Sequence, residues 1–418
     1  MEGNTNVTAA DSRELKRVLK LPMLVCQGLA YLCPACVLLY YGIINQLTNG
    51  HFPLTLIVAG IAMTLTALSY AKMCRKYPVA GSVYSYVSKS IGPRLGFAAG
   101  WTMMLDYFLL PMTCYLSLGL YLNILVPAVP IWVWVIIGVI FVAVCNYFGV
   151  TIAGFMNTIN VVAPIIALVI TMVAIIVFVG FDSVTTYAEE TIEPEKNMPR
   201  AVVIICVGAA IEFFICAYIM NCGWPWADAA GILQNPDTAV TEYNDHIGIA
   251  WMNFIFIIIN TLASIGCCIA GQGATARILL GMGRDGFIPR KFFGYVHPKF
   301  KTPSRNILLS AVVGLTAIFF QDSLTNAMSL VSFGAIMGFI LTNMSVIARF
   351  WVRDKERSGS AVIKYLIIPA IAAAICIYLW FSLTATAKIV GFSWLALGVI
   401  FLAIKTKGFK ELPPEMNL

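Results

Sequence analysis

Apolar runs of about eighteen residues or more recur along nearly the whole chain, each long enough to cross a hydrocarbon layer of roughly 30 Å as a helix. In lipid the backbone must satisfy its own hydrogen bonds, which leaves helices and closed barrels as the only spanning structures. A barrel needs short strands of alternating polarity, and the sequence has none. The predicted fold class is therefore an all-α polytopic membrane protein. With 60% of the 418 residues hydrophobic and 11% charged, a water-soluble globule could not hide the apolar surface.

Eleven apolar segments are predicted, near 21–48, 53–73, 95–124, 131–150, 158–188, 200–222, 247–272, 305–320, 324–348, 362–384 and 389–405. The first has no small-residue cleavage site and is expected to stay as a helix rather than leave as a signal peptide. The organisation is then a tail (1–20), one transmembrane domain (21–405) and a second tail (406–418).

Lys and Arg set the orientation. They gather before the first span (Arg13, Lys16, Arg17, Lys20) and between the second and third (Lys72, Arg75, Lys76, Lys89, Arg94). They gather again from Arg277 through Arg305, and at Arg349, Arg353, Lys355 and Arg357. These regions read as cytoplasmic, with both termini inside a plasma (inner) membrane. The net charge of +7 is thereby assigned to topology and the bilayer, not to nucleic acid. Loop 223–246 has four acids and no Lys or Arg, and reads as external.

Working back from that loop, the run from Val161 to Glu190 must begin and end on one side. Two crossings need roughly 40 apolar residues, and only about 25 lie between Asn157 and Asp182. The count does not close. A re-entrant segment, an inverted N-terminal half or a missing helix would each explain it, and a chain short of about one helix and a loop fits best.

Three segments carry a family resemblance. The stretch from Arg75 to Tyr86 (RKYPVAGSVYSY), followed by Gly92, Gly96 and Gly100-Trp101, resembles the connection between helices two and three of the amino acid–polyamine–organocation (APC) permeases. Residues Ala188 to Ala201 are similar to their loop between helices six and seven, and Arg277 to Pro289 to their loop after helix eight. Further similarity to the putrescine-importing members lies in Gly28–Pro34, Gly100–Met112, Gly180–Thr186 and Phe293–Pro298. Those members have twelve spans, and an acid late in helix one where this chain has Leu39.

The resemblance implies an APC/LeuT-like five-plus-five inverted repeat with helices one and six broken around the substrate. Gly permits such unwinding, which makes Gly28 and Gly180 the candidate breaks; each is also explained by a close helix contact. The substrate-binding set is Gly28, Ala30, Tyr31, Asp106, Tyr107, Gly180, Phe181 and Asp182. A diamine needs carboxylates for its ammonium groups and aromatic faces for its cation and alkyl chain. Asp106 lies ten residues past Gly96, roughly 15 Å along a helix, so near mid-membrane, where an ionisable group is a functional candidate by default. Tyr107 follows directly, but adjacent helix residues point in different directions. Asp182, beside the proposed break, is the second acid.

Glu189 is a gating or coupling candidate, although Glu189 and Glu190 also read as a solvated helix end pairing with Lys196 or Arg200. Asn260 and Ser264 complete that set; their alternative is an ordinary hydrogen bond across the bundle. The twelve cysteines have no paired spacing, and Cys33 and Cys36 read as packing residues rather than a redox pair. The three histidines, His51, His246 and His297, lack metal-ligand spacing, and there is no phosphate loop or nucleophile elbow. No enzyme activity, metal or cofactor is expected.

The function expected is secondary transport, importing putrescine or a similar small organic cation with H+ or Na+. No Lys or Arg lies between Arg94 and Lys196, so the helix-five lysine of some proton-coupled relatives has no counterpart. An amino acid permease, or a transport-dead remnant or sensor, are the other readings.

Overall fold

The computed structural model describes residues 18–32, 36–79, 81–149, 153, 156, 183–321, 324, 327 and 331–408. Among them the regular elements are helical, and the one backbone bridge between extended residues joins Leu19 to Thr191. In chain order the main helices are α1 (Leu21–Leu32), α2 (Cys36–Thr48), α3 (Phe52–Lys76), α4 (Ser82–Ser90), α5 (Pro93–Leu125) and α6 (Ile131–Phe148). They continue as α7 (Pro194–Gly223), α8 (Met252–Arg284), α9 (Ser304–Phe320), α10 (Ser332–Arg353), α11 (Gly359–Phe381) and α12 (Ala385–Lys405).

Eight of these are long and apolar enough to cross a bilayer alone, all but α1, α2, α4 and α9. α1 and α2 make up the first predicted span as a pair inclined at 43°, and α9 is a shorter apolar helix. The chain is thus an all-α polytopic membrane protein. Of the eleven predicted segments, 158–188 lies outside the described residues apart from its end, where Ser183–Glu190 forms tight 3₁₀ turns.

Two expectations are corrected. The bend in the first span falls between Leu32 and Cys36, not at Gly28. Gly28 sits inside α1, where a Cβ would collide with Ile205 of α7, so it is a close-packing glycine. The second correction concerns α8, which runs past its apolar stretch to Arg284 and so carries Arg277 and Arg284, read from the sequence as loop residues, into helix.

The basic segments converge on one end of the bundle. Val18 and Leu19 donate to the Glu190 carbonyl, Tyr84 to Asp285, and Arg353 to the Lys89 carbonyl. Phe97 and Phe401 stack there too, which brings the end of α12 to the same side as Leu19. The acidic loop lies at the opposite end, where Tyr121 donates to the Asp237 carbonyl and Asn221 to that of Gly50. Both flanks of 150–182 are at the basic end: Thr302 donates to the Tyr147 carbonyl at the foot of α6, and Glu189 and Glu190 pair with the last turns of α8.

Lipid offers no hydrophobic drive for helix association, so close approach at small residues does the packing. α5 runs along α8, and α3 along α7. Gly334 of α10 lies directly on the main chain of Thr102 and Asp106 in α5, where any side chain would collide with the Thr102 carbonyl.

Candidate functional site

Three helices meet where the first span bends. The last-turn carbonyls of α1 have no partner inside the helix, and that of Tyr31 accepts from Cys267 Sγ of α8 at 3.1 Å. α5 contains Pro111, whose missing N–H deprives the carbonyl four residues earlier, that of Tyr107, of its helical donor. The Thr275 hydroxyl of α8 lies 2.9 Å from the Tyr107 carbonyl and fills the vacancy. Between them sits Gly271, where a Cβ would come 2.5 Å from both Pro111 Cγ and Tyr31 Cε2. Its lack of a side chain lets α1, α5 and α8 touch.

The Tyr31 and Tyr107 rings consequently pair, with centroids 5.7 Å apart and planes tilted by 34°. Both are buried, as is Ala30 in the same turn of α1. Asp106 is wholly enclosed by protein, its main chain facing α10 at Gly334 while the Tyr107 carbonyl faces α8. The structure therefore brings Tyr31 and Tyr107 together and puts Asp106 one residue along, on the neighbouring face. Gly180, Phe181 and Asp182 lie outside the described residues.

Asn260 and Ser264 are both buried in the half of α8 nearer the acidic end. Asn260 Nδ2 donates to Ser117 Oγ of α5 at 3.3 Å, while Asn260 Oδ1 and Ser264 Oγ are buried without a hydrogen-bond partner among the described residues.

We expect Thr275→Val to lower thermal stability by about 1–3 kcal/mol, because it strands the buried Tyr107 carbonyl, with Thr275→Ser close to wild type. Melting curves of the purified protein in detergent check this, and a Val variant that melts with wild type refutes it.

A second constellation was not legible from the sequence. Glu190 is buried and ion-paired with Arg277, correcting its reading as a solvated helix end. Arg277 also donates to the Gly273 carbonyl at 2.7 Å and lies 3.9 Å from the centroid of the Tyr187 ring. The Tyr187 hydroxyl accepts from Gln27 of α1 at 2.7 Å and donates to the Ala270 carbonyl at 3.1 Å. Glu189 is paired with Arg284 at 2.8 Å and is partly exposed, while Lys196 pairs with Glu193. The network ties the N-terminal segment, α1 and the Ser183–Glu190 turns to α8 at the basic end. The available signal was an arginine four residues past Gly273 at the end of an apolar run.

The whole chain is similar to known transporters. It is 33% identical to the low-affinity putrescine importer PlaP of Escherichia coli (strain K12) over 449 residues, covering 98% of each. It is 25% identical to the branched-chain amino acid permease BcaP of Bacillus subtilis (strain 168), covering 86% of each. It is 24% identical to cationic amino acid transporter 3, mitochondrial, of Arabidopsis thaliana, covering 82% of this chain and 64% of that one. The 449-residue alignment exceeds the 418 residues present, so at least 31 positions of the putrescine importer have no counterpart here. Amino acid permease family models match residues 25–179 and 172–404. With one of these matches spanning more than half of its length, and a relative one-third identical from end to end, the chain belongs to the amino acid permease family.

Proposed function

We propose that this permease is a secondary active transporter that imports putrescine or a related small organic cation across the plasma (inner) membrane, coupled to H+ or Na+, with both termini cytoplasmic. The observation that carries the reading is the buried Tyr31–Tyr107 pair at the bend of the first span, with Asp106 adjacent in α5. Aromatic faces receive an organic cation and its alkyl chain, and a carboxylate buried close by neutralises an ammonium. Likeness to a putrescine importer along the full chain supports the same substrate class. Rocking of α1 against α5 and α8 would alternate access, with the Glu190–Arg277 network closing the basic end.

Two other readings have observations in their favour. Relatives named as a branched-chain amino acid permease and a cationic amino acid transporter favour an amino acid substrate. Against it, the buried cation among the described residues, Arg277, already has its charge matched by Glu190. The 31 or more unmatched positions, which we place between α6 and Ser183, favour a transport-dead remnant.

Uptake of labelled putrescine by cells expressing the full chain, under imposed pH or sodium gradients and with amino acids as competitors, separates the three. Accumulation that unlabelled putrescine blocks and amino acids do not is the expected result. Amino acids that compete transfer the chain to the second reading, and no uptake of either substrate to the third.

A further inference from the structure

The positive charge at the basic end is not spread evenly. Beside the Ser183–Glu190 turns it is cancelled, since Arg277 and Arg284 each face a glutamate. The last turn of α3 (72–76) and the α10–α11 connection (349–364) instead carry eight Lys and Arg against two acids, Asp354 and Glu356.

These two stretches form one surface. Lys72 Nζ donates to the Lys364 carbonyl and lies 5.7 Å from the Tyr365 ring centroid. Phe350 stacks on Tyr365 with centroids 4.6 Å apart. Asp354 is shared by Lys76 at 3.5 Å and Arg349 at 3.2 Å, so one of the two acids is already divided between two cations. Arg349 Nε, moreover, is buried with no hydrogen-bond partner among the described residues. Arg353, Lys355, Arg357 and Lys364 are exposed. The flanking helix ends are π-turned, over Ile347–Arg353 and Ile363–Ile367, a rare geometry that is frequent at functional sites.

The same surface continues into an exposed aliphatic strip. Val352 and Ile363 are 61% and 53% exposed and lead along α11 to Ile367 and Ile371. Trp351, with Arg357 at 5.5 Å from its ring centroid, and Tyr365 are residue types that settle at the headgroup level. Cations above, interfacial aromatics between and bare aliphatics below match a phosphodiester headgroup and its acyl chains.

We propose that the α3–α10–α11 surface at the basic end is a binding site for an anionic phospholipid of the surrounding bilayer. A free phosphate would use the cations but not the aliphatic strip, which favours the lipid. The surface lies on α10 and α11, apart from the Tyr31–Tyr107 site, so the proposal stands whatever the transported substrate.

The test uses the purified full chain in detergent, with dioleoyl phosphatidylglycerol and dioleoyl phosphatidylcholine as probes and retained lipid read by native mass spectrometry. Three proteins are compared: wild type, Arg353→Gln/Lys355→Gln/Arg357→Gln/Lys364→Gln, and a control with the same charge loss elsewhere, Arg290→Gln/Lys291→Gln/Lys299→Gln/Lys301→Gln. Wild type and control should hold phosphatidylglycerol at least about tenfold better than phosphatidylcholine, and the first variant should lose that preference. Should that variant not elute as a folded protein, the exposed pair Lys355→Gln/Arg357→Gln replaces it, with a several-fold loss expected. Equal retention of the two lipids by wild type, or an equal loss in variant and control, overturns the proposal. So does displacement of the lipid by inorganic phosphate beyond that by chloride at matched ionic strength.

Discussion

Arg277→Gln should destabilise the protein by about 3–5 kcal/mol, because it leaves the carboxylate of Glu190 buried without its counter-charge. Few single changes in this chain combine so many losses. The guanidinium is the partner of Glu190, the donor to the Gly273 carbonyl and the cation over Tyr187, whose hydroxyl in turn joins Gln27 of α1 to α8. The Glu190 main chain also holds the N-terminal segment through Val18 and Leu19, so the loss spreads across the basic end. The companion variant Glu190→Gln/Arg277→Gln removes the unpaired charge and should recover a substantial part of the stability, since breaking a buried pair costs more than neutralising both members. Thermal melts monitored by size-exclusion chromatography give the comparison. A double variant that melts no higher than Arg277→Gln would mean that Arg277 acts through packing rather than charge.

Asp106→Asn is expected to lower putrescine uptake by at least about a hundred-fold, the equivalent of losing one charge-assisted interaction of about 3 kcal/mol. Asparagine keeps the volume, so the fit of α5 against Gly334 survives. Membrane abundance should not fall, because a neutral amide inserts more easily than an aspartate, whose cost at the helix centre is about 2.5–3.5 kcal/mol. Uptake and surface expression measured in the same cells distinguish the two effects. Wild-type uptake by Asp106→Asn would remove this carboxylate from the substrate site and leave the aromatic pair to account for recognition.

The Tyr31–Tyr107 pair illustrates what a linear reading could reach. Each tyrosine was a candidate from its own surroundings, one near the end of a helix-breaking motif and the other beside a buried acid. Their meeting depends on Pro111 of α5 and on Gly271 and Thr275 of α8, whose roles appear only once α5 and α8 are in register. Glycine content alone suggests a break at Gly28, but whether a glycine unwinds a helix or seats a neighbour depends on what faces it, here Ile205 of α7. Arg277 went to a loop because the charge rule counts cations by position and takes no account of a carboxylate 87 residues away.

Hydropathy and the distribution of Lys and Arg are local properties of the chain. They were sufficient for the all-helical membrane architecture and for the gathering of basic segments at one end. Which glycines are contact points, where the first span turns, and which buried charges cancel were decided by the tertiary structure alone. Transfer into lipid is nearly additive along a sequence, whereas an ion pair or a ring contact requires atoms from distant segments to lie within a few ångströms of each other.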